Sequence, residues 1–82
     1  MNQGNNWRLE KGIRYLETGR PDLLEYRAEV KGIECRVWYE PPEQQGTEGG
    51  WCYSVGPPVD YADTADSKEQ AMTAATREAE KW

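Results

Sequence analysis

The sequence predicts a small α+β domain, a three-stranded antiparallel sheet with a C-terminal helix and an N-terminal helix on one face. Three observations predict it. Two alternating runs flank Lys31-Gly32, a third run, Trp51-Cys-Tyr-Ser-Val55, follows a stretch rich in Pro and Gly, and a capped stripe of small apolar residues begins at Ser67. At 82 residues the chain is long enough for one domain, read here as 1–82, with 1–6 as a flexible N-terminus. A domain of this size buries only about 60% of the surface its unfolded chain exposes, so the core is thin. Phe is absent, but four Trp and five Tyr supply the bulk that a modest aliphatic content lacks.

Residues 7–18 read in two ways. As a helix, Leu9, Ile13 and Leu16 align, Glu10 pairs with Arg14, Asn6 caps, and Gly19 with Pro21 stops the run. As a hairpin about Lys11-Gly12, Glu10 would oppose Ile13 and Arg8 would oppose Tyr15, leaving no apolar face. The helix is the better reading, although Gly12 in its interior costs about 1 kcal/mol.

Lys31-Gly32 as a two-residue hairpin loop pairs Val30 with Ile33, Ala28 with Cys35, Tyr26 with Val37 and Leu24 with Tyr39. All eight lie on one face. The other face collects Glu25, Arg27, Glu29, Glu34, Arg36 and Trp38. Arg27 then opposes Arg36 and Glu29 opposes Glu34, with the diagonals Arg27–Glu34 and Glu29–Arg36 compensating. Residues 41–50 read as a mobile loop. In the third strand Trp51, Tyr53 and Val55 face the core, Cys52 and Ser54 face outward, and Gly56-Pro57-Pro58 ends the run.

Ser67 as N-cap with Gln70 three residues on forms a capping box. Ala71, Met72, Ala75, Ala79 and Trp82 follow at helical spacing as core positions. Lys68, Glu69, Arg77, Glu78, Glu80 and Lys81 form the solvated side.

With no His in the chain, Ser-His-Asp, Cys-His and ordinary zinc chemistry are excluded. Cys35 is expected inside and Cys52 outside, which predicts two free thiols and a reducing compartment. Asp60, Asp63 and Asp66 lack the ligand spacing of a calcium loop and read as carboxylates favouring a helix N-terminus. Gly46, Gly49 and Gly50 have no Lys nearby to make a phosphate loop. The chain is therefore read as non-catalytic, without cofactor or metal. It lacks a membrane-length apolar run and a signal-peptide pattern, and reads as cytoplasmic.

The net charge of −5 is concentrated in residues 40–66, which hold Glu40, Glu43, Glu48, Asp60, Asp63 and Asp66 and no basic residue. Such a segment repels nucleic acid and suits a basic partner. Arg27, Arg36 and Trp38 on the outer sheet face, beside Leu23 and Cys52, are of the types enriched at binding hot spots. Alternatively, Trp38 packs under the 41–50 loop or against the N-terminal segment. The expected function is binding of a protein partner through Arg27, Arg36, Trp38, Glu40, Glu43 and Glu48, with a homodimer through the outer face as one form of it. The alternative is nucleic-acid binding through Lys68, Arg77 and Lys81.

Two family resemblances bear on these readings. Pro21 with Leu24-Glu25-Tyr26, and Ser67-Lys68, Ala71, Ala74-Ala75, Ala79 and Trp82, resemble the first strand and last helix of the double-stranded-RNA-binding domain. That resemblance implies an α-β-β-β-α fold and a lysine cluster on phosphates. Lys68 stands in the cluster, while Glu69 and Met72 take the places of the other two lysines, and Lys31-Gly32 is shorter than the family's groove-contacting loop. Over roughly residues 33–82, Gly50-Trp51-Cys-Tyr-Ser-Val55 and Asp66-Ser67-Lys68-Glu69-Gln70-Ala71 resemble the N-terminal domain of HicB-type antitoxins. The implied role is masking a small basic toxin.

Overall fold

A hairpin of β2 (Glu25–Val30) and β3 (Ile33–Glu40) organises the sheet. Positive φ at both Lys31 (55°) and Gly32 (79°) makes the loop a type I′ turn, whose twist matches that of the flanking strands. The register is the expected one, with Val30 opposite Ile33, Ala28 opposite Cys35 and Tyr26 opposite Val37. Leu24 does not extend it to Tyr39, because Leu24 closes a one-turn 3-10 helix (Pro21–Leu23) and the strand starts at Glu25. The computed structural model describes residues 7–40, 50–57 and 60–82. The expected flexible segment 1–6 and residues 41–49 of the expected loop lie outside them, while Gly50 opens the next strand.

The sheet has five antiparallel strands where the sequence predicts three, in the order β1-β2-β3-β4-β5. β4 (Gly50–Val55) is the expected third strand, stopped at Gly56-Pro57. β1 (Arg8–Glu10) and β5 (Tyr61–Ala65) are additional edges. Both are short, and β5 turns Asp63 to the same side as Tyr61, so neither shows an apolar alternation.

The N-terminal helix is correspondingly shorter than predicted. Leu9 pairs with Tyr26 in β1, and α1 (Ile13–Thr18) begins only after Gly12, which is its N-cap and not an interior residue. Gly19 ends it with φ 74°, donating its N–H to the Tyr15 carbonyl, as its sequence position predicts. The expected apolar stripe does not form, because Leu9, Ile13 and Leu16 are 54%, 65% and 69% exposed. Arg14 also leaves its predicted partner Glu10 and binds Glu40 at 2.6 Å. Glu40 alternates with Trp38 and Arg36, so α1 is tied to the face opposite the C-terminal helix. The two helices do not share a face, and the order of elements departs from α-β-β-β-α.

Gly12 carries a prediction that separates the two arrangements. In a helix interior, Gly12→Ala would add about 1 kcal/mol of stability. Here an added Cβ would overlap the carboxylate of Glu25, which is only 7% exposed and paired with Arg27. Gly12→Ala is expected to lower stability by about 1.5–3 kcal/mol, the scale of a displaced charged hydrogen bond, as read from urea unfolding.

The C-terminal helix, α2 (Lys68–Glu80), lies across β3, β4 and β5. Ala71, Ala75 and Ala79 are fully buried against Cys35, Val37, Tyr53 and Val55. The Gln70 N–H donates to Ser67 Oγ at 3.2 Å, while Gln70 Oε1 accepts from Asp66 and not from Ser67 itself. Trp82 is 67% exposed, against the expectation of a core position. The helix ends at Glu80, so helical spacing no longer governs residue 82, and its indole N–H donates to Glu78. Among the described residues no helix is long and apolar enough to cross a membrane.

Candidate functional site

Strand alternation assembles one face of the sheet away from α2. β2 contributes Glu25, Arg27 and Glu29, and β3 contributes Glu34, Arg36, Trp38 and Glu40. Cys52 stands opposite Trp38 and Thr64, while Ser54 stands opposite Arg36 and Ala62. The face divides into two halves of different character.

The β1–β2 half is spent on internal ion pairs. Arg27 lies 3.7 Å from Glu10, 3.2 Å from Glu25 and 3.8 Å from Glu34, the last being the compensating diagonal expected from the register. The hydrogen bond from Arg8, with the charges of Arg8 and Arg27, holds the Glu10 carboxyl below its ordinary value against the opposing effect of burial. Glu40 accepts two hydrogen bonds from the Arg14 guanidinium. Of the expected partner-binding residues, Arg27 and Glu40 are thus engaged within the chain, and Glu43 and Glu48 lie outside the described residues. Leu23 is buried and not on the open face. It falls outside the cluster under α2.

The β3–β5 half keeps Arg36 and Trp38 together, both half-buried. Among the described residues the Arg36 guanidinium has no carboxylate partner. It lines a depression of about 350 Å³ with Ser54, Gly56, Pro57, Asp60 and Tyr61. Thr64 and Ala62 complete this half, and the sequence reading misses them because β5 is not recognised. Tyr61 and Thr64, both strand formers between Pro57-Pro58 and the Ser67 cap, are the signal that was present.

The basic residues of the nucleic-acid alternative are not brought together. Lys68 sits over the Tyr26 ring at 4.9 Å, and Lys81 pairs with Glu78 at 3.2 Å. Arg77 lines a groove of about 420 Å³ with Trp7, Met72, Glu69 and Glu80. Nine residues along a helix of 3.6 residues per turn place Arg77 about half a turn of the cylinder away from Lys68.

Both cysteines are free, as their predicted facing requires. Burial, then the Glu34 charge, pushes the Cys35 thiol up to about 11. Burial, then the Glu40 charge, also raises Cys52. Nucleophilic attack needs the thiolate, so neither side chain is activated for it. Among the described residues no group of three or more Cys, Asp or Glu is placed to hold a metal ion. Asp63 lies on the α2 side of β5, opposite Tyr53, while Asp60 and Asp66 have the other parity.

Comparison with protein-family models, with curated proteins and with solved structures finds no match to this chain.

The buried thiol has a consequence for stability. Folded Cys35 holds its proton more tightly than an unfolded thiol with the ordinary value of 9.0, so its contribution is complete below that pH. It is lost as pH rises toward about 11. Tyr53, raised to about 12 chiefly by burial, adds to the loss at higher pH. Urea midpoints should fall through this window, and Cys35→Ala should flatten its lower part. A midpoint independent of pH there would contradict the assignment.

Proposed function

We propose that the chain is a non-catalytic module that binds a protein partner through the β3–β5 half of the sheet face opposite α2. The observation that carries this reading is Trp38 beside Arg36, a guanidinium without a carboxylate partner among the described residues, on the half that internal ion pairs leave open. Trp and Arg concentrate binding energy when a partner excludes water from them. The net charge of −5, with exposed Asp60, Asp63 and Asp66 along the β5 border, favours a partner of basic net charge. The antitoxin resemblance points to the same class of partner. Nucleic-acid binding is the less supported reading, since Lys68 and Arg77 lie on opposite sides of α2.

The test is affinity capture from native cell extract with tagged protein, with and without nuclease, using wild type, Trp38→Ala and Arg36→Glu. A nuclease-resistant protein should be retained by wild type. Each variant should weaken it about 30-fold, equivalent to a hot-spot loss of about 2 kcal/mol. Affinity should fall with added salt. Retention unchanged in both variants would place the contact elsewhere, and nuclease-sensitive capture would favour the nucleic-acid reading.

A further inference from the structure

Among the described residues β5 pairs only with β4 and so forms one open edge of the sheet, and its backbone polarity can be assigned from one bond. The Gly56 N–H donates to the Glu34 carbonyl at 2.9 Å. Continuing that ladder in steps of two directs the backbone groups of Ser54 and Cys52 to β3, and those of Trp51, Tyr53 and Val55 to β5. Their partners Ala65, Asp63 and Tyr61 therefore bond inward, and the N–H and C=O groups of Ala62 and Thr64 point off the edge. Both residues are exposed. An open row of this kind is a template for pairing with another strand.

Two outward donors at this end of the sheet are already occupied by side chains of the same chain. The Thr64 N–H donates to Asp63 Oδ1 at 2.8 Å, and the Asp66 N–H, next in the same parity, donates to Gln70 Oε1 at 3.2 Å. The Tyr61 hydroxyl donates to Asp63 Oδ2 at 3.2 Å, which holds the carboxylate in place.

We propose that Asp63, steadied by Tyr61 and assisted by Gln70, is an edge guard that prevents β5 from pairing with β5 of a second copy of this chain. The geometry of the forbidden dimer gives the guard a second component. In the antiparallel register that centres on residue 63, the outward groups set Ala62 against the partner copy's residue 64, and the two residues 63 come face to face in a close, non-hydrogen-bonded pair. Two carboxylates there repel. One side chain thus removes a donor from the edge and places like charges at the centre of the unwanted interface. The opposite edge, β1, has only three residues and offers little to pair with.

The test uses sedimentation velocity over a concentration series together with amide hydrogen exchange. Wild type should remain monomeric. Asp63→Ala should self-associate as concentration rises, and at a dilution where it is monomeric its Thr64 amide should exchange about fivefold faster, the scale of one lost hydrogen bond. Asp63→Val, which favours the strand, should associate at least as readily, so that loss of β5 is not mistaken for loss of the guard. Asp63→Ala combined with Thr64→Pro should return to monomer, because proline has no N–H to give to the new ladder. A wild type that already associates through β5, monomeric Asp63→Ala and Asp63→Val, an unchanged Thr64 amide, or association that survives Thr64→Pro would each overturn the proposal.

Discussion

Ala75→Leu is expected to lower the melting temperature by about 10 °C. Ala71, Ala75 and Ala79 are fully buried, and no larger side chain of α2 reaches comparable depth. Their single methyl groups set the distance between the helix and the sheet. Cys35 Sγ lies 3.7 Å from the Ala75 carbonyl oxygen, so backbone of the helix is in contact with the strand beneath it. Leucine at this position adds three carbon atoms where the interior is already close-packed, and overpacking of this kind costs about 1–3 kcal/mol or more. In a domain of this length each kcal/mol shifts the midpoint by about 4–8 °C. Thermal unfolding followed by circular dichroism checks it, with Thr73→Leu on the exposed side of the same helix as the control. If Ala75→Leu melted with wild type, α2 would not be seated as described.

Leu23→Ala is expected to cost about 3 kcal/mol, within the 2–5 kcal/mol range of buried Leu→Ala changes. Leu23 is 1% exposed, on the 3-10 turn that touches β3, and it is outside the cluster under α2. It is therefore the fully buried apolar residue of the N-terminal segment, in which Leu9, Ile13 and Leu16 face solvent and Trp7 packs partly buried against the cluster under α2. The measurement is the urea midpoint at constant m-value. A loss below about 0.5 kcal/mol, the usual bound for surface substitutions, would mean that this segment contributes no core of its own.

Legibility of these features in the sequence follows the range of the interactions that create them. The β2–β3 register, the inward facing of Cys35, Tyr53 and Val55, the Gly19 stop and the Ser67 cap are all set by contacts within a few residues or by a period long enough to read. The candidate site was partly legible for the same reason. Arg36 and Trp38 were placed on the correct face by alternation alone. Alternation places Arg27 there too, whereas Glu40 reads from the sequence only as part of the acidic segment 40–66; the availability of both depends on Glu10 and Arg14, which the sequence reads as one helix.

Sequence by itself determined the central hairpin, β4, the alanine face of α2 and the absence of histidine chemistry, because periodicity, turn geometry and composition are local properties. Tertiary structure decided β1, β5 and the side of the sheet on which α1 lies. Edge strands of three and five residues carry no sustained period and exist through pairing with β2 and β4. A six-residue helix is too short to form alone and takes its position from the Arg14–Glu40 bond and from the close approach of Gly12 to Glu25.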